Sequence, residues 1–126
     1  MTSHEQDQMP TRGQASSAIS NAVVGIYRDY TGRGPTRAKT TITEDHVAVV
    51  LEDTLLKAER SLVADGERDA IRHMRRRFQD TMRDDLVAAV EHATNRTVRG
   101  FMSDNQLDPD YAVEFFVLEA RNEPAA

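Results

Sequence analysis

The side chains with the greatest capacity for chemistry near one point of the chain are cationic. Arg33 sits between Gly32 and Gly34 and just before Pro35, with Arg28, Arg37 and Lys39 nearby in sequence. A guanidinium backed by neighbouring cations can hold a carboxylate, carbonate or phosphate through charged, paired hydrogen bonds. Arg33 and Arg37 are therefore candidate anion- or partner-binding residues. Ser103 and Asp104, in a stretch rich in turn formers, are candidates for the opposite lip. On that reading the chain is a small-anion or metabolite sensor whose ligand lies between the Arg33 loop and the Ser103-Asp104 loop. Gly32-Arg33-Gly34-Pro35 is not a dinucleotide loop, because it follows a helical pattern and Pro35 lacks the N–H an anion cradle uses. Gly32, Gly34 and Pro35 read as a structural motif, a left-handed helix stop followed by a residue that blocks further helix.

Other constellations carry less. The run Arg72-His73-Met74-Arg75-Arg76-Arg77 has Asp69, Asp80, Asp84 and Asp85 within a turn or two, and Arg76 stands four residues before Asp80. That spacing reads as a partly paired, solvated helix face, with docking to an acidic partner or anionic headgroups as the alternative. Glu59 and Glu114 would form a buried carboxylate pair if both faced the sheet, but Glu114 reads more simply as a solvent-facing member of an alternating strand. His4, His46, His73 and His92 show no i,i+4 pairing, so no metal site is expected. With no cysteine, thiolate chemistry and Cys-held metals are excluded. No phosphate loop, nucleophile elbow or other catalytic set appears, so the expectation is a non-enzyme without a cofactor.

Periodicity supplies the elements that must position these residues. Ile19, Val23, Ile26 and Tyr30 recur at helical spacing from an N-cap at Ser16 or Ser17 up to Gly32. Thr40 to Thr43 and His46 to Leu51 are β-branched or apolar runs and predict a hairpin with a turn at Glu44-Asp45, or a loop one or two residues longer because Glu suits positive φ poorly. Helices are predicted over 54–64, stopped at Asp65-Gly66, and from Glu67 to about Thr94. The second has a stripe of Ile71, Met74, Phe78, Met82, Leu86, Val90 and Ala93. It would run about 40 Å, longer than so small a domain needs, which together with the scarcity of aromatics suggests packing on another copy. Strands 97–102 and 111–118, linked by 103–110, make a second hairpin. The order α-β-β-α-α-β-β predicts an α+β fold, a four-stranded antiparallel sheet with helices packed on one face.

Length and charge set the outer bounds. At 126 residues the chain suits one domain. We expect it over 15–119, between a disordered tail at 1–14 and a flexible tail at 120–126. The net charge of −5 disfavours nucleic acid as a partner. The longest apolar run, Val47 to Leu51, is far below the roughly 20 residues of a membrane span, and the N-terminus has no apolar signal core. The expected location is cytoplasmic.

Tyr30-Thr31-Gly32-Arg33-Gly34-Pro35, the hairpin, Leu55 to Leu62, Arg83-Asp84-Asp85-Leu86 with Val90-Glu91, Ser103-Asp104 and Val113 to Leu118 together resemble the MpsC family of small bacterial proteins. The likeness covers about residues 16–118 in consistent order. It departs from the family pattern where Leu56-Lys57 replaces a Thr-Pro helix start, Thr94-Asn95 replaces Thr-Gly, and Asn105-Gln106 follows Ser103-Asp104 in place of a small hydroxyl residue. The resemblance implies a non-enzymatic cytosolic accessory protein. It would act through protein partners of a membrane ion-translocating, potential-generating system, itself linked to bicarbonate or cation uptake. A homodimer is expected.

Overall fold

The computed structural model describes residues 10–121. Helix α1 spans Arg12–Thr31, strands β1 and β2 span Arg37–Ile42 and His46–Glu52, and helices α2 and α3 span Lys57–Ala64 and Arg68–Thr94. Strands β3 and β4, Val98–Gln106 and Tyr111–Leu118, complete the α-β-β-α-α-β-β order. The four strands form one antiparallel sheet in the order β1-β2-β4-β3, so the fold is α+β as expected.

Local chemistry moves several boundaries. Helix α1 begins at Arg12 and not after Ser16, because Thr11 and Gln14 form a capping box. The Thr11 hydroxyl accepts from the Gln14 N–H at 3.0 Å, and Gln14 accepts from the Thr11 N–H at 2.9 Å. Residues 12–14 of the expected tail are therefore helical, and residues 1–9 lie outside the described residues. The helix ends at Gly32, whose φ of 82° is the left-handed value a glycine supplies at least cost. Helix α2 starts only at Lys57, where the Glu59 carboxylate reaches back to accept the Leu56 N–H at 2.7 Å. Leu56 has no side chain that can cap the helix, so this contact is the half of a capping box that remains without the Thr hydroxyl. Asn95, with φ 55°, ends α3 as expected. The β1–β2 connection is Thr43–Asp45, one residue longer than a two-residue turn.

Helices α1 and α3 cover one face of the sheet, and α2 packs against α3. Ile19, Val23 and Tyr27 of α1 and Met82, Leu86 and Val90 of α3 pack on Val47, Val49, Leu51, Ala112, Phe116 and Leu118. A smaller apolar cluster of Leu55, Ile71 and Leu107 closes the end near the start of α3. The expected α3 stripe is corrected in its middle. Its fully buried line runs Ile71, Arg75, Gln79, Met82, Leu86, Val90, with Met74 and Phe78 partly buried against the apolar clusters beside it. This stripe is covered within the chain. No helix among the described residues is long and apolar enough to cross a membrane.

Candidate functional site

Between the two apolar clusters lies a polar belt built from every layer of the fold. Arg75 is 2% exposed and donates from Nη2 to the Thr54 hydroxyl at 2.6 Å and from Nη1 to the Thr54 carbonyl at 3.3 Å. Its Nη1 also meets Glu59 Oε1 at 3.4 Å. Thr54 passes the contact on by donating to Asp110 Oδ1 at 2.8 Å, and Asp110 Oδ2 accepts the Leu55 N–H at 2.8 Å. The result ties α3, α2, the β2–α2 connection and the β3–β4 loop to one buried guanidinium. Glu59 Oε2 is buried and has no partner among the described residues.

The second half of the belt centres on Glu114, which is 0% exposed on the inner side of β4. Ser103 Oγ donates to Glu114 Oε1, and the Tyr27 hydroxyl donates to Oε2 at 3.3 Å. Gln79 and Asn105 close the layer with a reciprocal amide pair, at 3.2 and 2.8 Å. Burial pushes the Glu114 carboxyl up to about 7, against the opposing pull of Ser103, Tyr27 and the positive charge of Arg75. Burial and the neighbouring Glu114 also push the Tyr27 phenol well above its ordinary range, so Tyr27 stays a neutral donor. Glu59 and Glu114 are thus both buried, and the assignment of Glu114 to solvent is corrected. They are not a facing dyad, since each has its own partners and Arg75 acts on both.

The residues singled out in the sequence fall in separate places. Arg33 donates to the Asp53 carbonyl at 3.0 Å and the Leu55 carbonyl at 3.3 Å, and pairs with the Asp53 carboxylate, which Arg60 also engages. It clamps the β2–α2 connection, where Asp53 takes a φ of 60°. A Cβ on Gly34 would sit 3.0 Å from the Val24 carbonyl oxygen, so this glycine allows the chain to press against α1. Arg37 is an exposed β1 residue 3.7 Å from Glu52. Ser103 and Asp104 are not in a loop. Both belong to β3, which pairs with β4 as far as Gln106, and their side chains point to opposite faces. Because β1 and β3 are the two sheet edges, about 14 Å apart across three strand spacings, Arg37 does not meet Ser103 or Asp104.

In the basic run, Arg75 is in the core, Arg72 lies 3.9 Å from Asp69, and the expected Arg76–Asp80 pair is not among the ion pairs of the described residues. Arg83 instead covers the Phe101 ring at 5.3 Å. No group of three or more potential metal-ligating side chains occurs among the described residues. A cleft of about 670 Å³ at the opposite end of the sheet is bordered by the start of α1, the β1–β2 turn and Arg96. That arginine is engaged by Asp45 at 2.7 Å and the Glu119 carbonyl at 2.6 Å.

The family model for the Na+-translocating membrane potential-generating system (MpsC) matches residues 11–120. The chain belongs to the MpsC family. The match spans the whole described fold, from the Thr11 cap to the end of β4, and takes in both halves of the polar belt. No curated protein and no solved structure matches the chain. Family membership connects the chain to a Na+-translocating potential-generating system at the level of that description.

Proposed function

We propose that the chain is a non-enzymatic, cytoplasmic accessory protein that acts as a homodimer through protein partners of a membrane ion-translocating, potential-generating system. The observation that carries this reading is how the chemistry-bearing side chains are used. Arg75, Glu59, Glu114, Tyr27, Ser103 and Asn105 are turned inward onto each other and hold the layers together, while the opposite sheet face presents apolar side chains to the outside. That arrangement suits a protein that works by contact. A small anion at the Arg33 joint would have to displace Asp53 and two carbonyl oxygens from the guanidinium.

Capture of the tagged chain from detergent-solubilised membranes of its own cells tests the partnership. Integral components of an ion-translocating system are expected in the eluate, and deletion of the chain is expected to lower the Na+-dependent membrane potential. An unchanged potential together with no such component would overturn the reading.

A further inference from the structure

The outer face of the sheet reads as rows of side chains set by the strand registers. One row runs Lys39–Val50–Val113–Asp104 from the β1 edge to the β3 edge, and the next runs Thr41–Ala48–Phe115–Met102. A third, nearer the Arg37 end, runs Arg37–Glu52–Tyr111–Gln106. Val50, Met102 and Tyr111 are exposed by 42%, 55% and 40%, and the half-buried Val113 and Phe115 of β4 lie between them on the same face.

From these rows we infer that the outer sheet face is the homodimer interface, a second copy packing face to face about a two-fold axis parallel to the strands and midway between β2 and β4. Such an operation lays each row over itself in reverse. In the first row Lys39 then faces the partner's Asp104 at both rims, while Val50 and Val113 cover each other at the centre. In the second row large meets small, Phe115 over the partner's Ala48 and Met102 over the partner's Thr41. In the third, Tyr111 faces the partner's Glu52, a phenol donor against a carboxylate acceptor. Packed sheets lie about 10 Å apart, a gap that an extended lysine and an aspartate can bridge. Neither Lys39 nor Asp104 has an ion-pair partner among the described residues. A depression of about 380 Å³ lies beside Asp104, lined by Val50, Arg72, Gln106, Tyr111 and Val113. Charge and shape are therefore both self-complementary under one symmetry operation, as an isologous contact requires.

The inference rests on the homodimer part of the reading above and is independent of the ion-system partnership. Sedimentation equilibrium of purified full chain from micromolar to submillimolar concentration tests it with Lys39→Glu and Asp104→Lys. Both positions are exposed, so both variants are expected to fold, which circular dichroism checks. Each reversal alone creates two like-charge contacts and is expected to weaken the dimer by about tenfold or more. An equimolar mixture of the two variants restores opposite charges at both rims and is expected to dimerise about as well as wild type. A wild-type chain that stays monomeric overturns the homodimer reading itself. A wild-type dimer that neither reversal weakens, or that mixing does not restore, overturns this interface and leaves the homodimer standing on another surface.

Discussion

Strand β4 sends Glu114 inward and Phe115 outward, and its neighbours do the same, with Ser103 and Asn105 inside against Met102 outside. The covered face of this sheet thus holds a carboxylate, a hydroxyl and an amide, while the uncovered face holds Val50, Val113 and Phe115. Buried polar groups cost free energy unless they are matched, and here almost all are matched by one another. Apolar side chains left outside contribute little to the folding of the single chain, and their natural cover is another surface. The inner face therefore specifies how the layers dock, and on the reading proposed above the outer face is the one that meets a second copy.

The largest test of that division is Arg75. Arg75→Ala would leave Glu59 buried without its cation and remove a donor from Thr54, a loss of about 3–5 kcal/mol in unfolding free energy by urea titration. Arg75→Met combined with Glu59→Gln is expected to recover much of it, since no unpaired charge remains. A loss under about 1 kcal/mol for Arg75→Ala would break the claim that the belt ties the layers together.

Glu114 gives the next largest effect, and its sign follows from the raised carboxyl. The unfolded chain releases this proton near 4.5 and the folded chain near 7. Its stabilising contribution is complete below the unfolded value, falls as pH rises from 4.5 to about 7, and is flat above that. The span corresponds to about 3 kcal/mol, with Tyr27, Gln79, Arg75 and Ser103 as the surrounding groups. Glu114→Gln, which keeps a neutral side chain of the same shape, is expected to remove this slope and to be more stable than wild type above about pH 7 in the same titration. An unchanged slope would show that Glu114 is not the group titrating in the core.

A smaller effect is expected at the joint where the sequence placed its chemistry. Arg33→Ala loses two carbonyl contacts and a half-exposed ion pair, about 1–2 kcal/mol in thermal or urea unfolding, with no effect on association.

The order of elements was legible because each announces itself locally. Gly32 and Asn95 stop helices, the β-branched run at 40–43 opens a hairpin, and the 71–93 stripe is helical. The site was less legible, for a physical reason in each case. Strand β4 is apolar on both faces, so alternation could not assign Glu114 to a side; its parity with Phe116 and Leu118 was the available signal. A hydrophobic stripe passes over a core position that is itself polar, which is why Arg75 and Gln79 were missed although they continue the 71–90 spacing. Ser103-Asp104 has turn-forming composition, but eight pairings along β4 outweigh propensity there.

Sedimentation equilibrium of Val50→Glu beside wild type, with unfolding curves on the same samples, tests the separation of the two faces most directly. Val50 is exposed, so an unfolding free energy within about 0.5 kcal/mol of wild type and a shift from dimer to monomer are expected. A variant that remains dimeric, or that loses its fold along with its association, would contradict that separation.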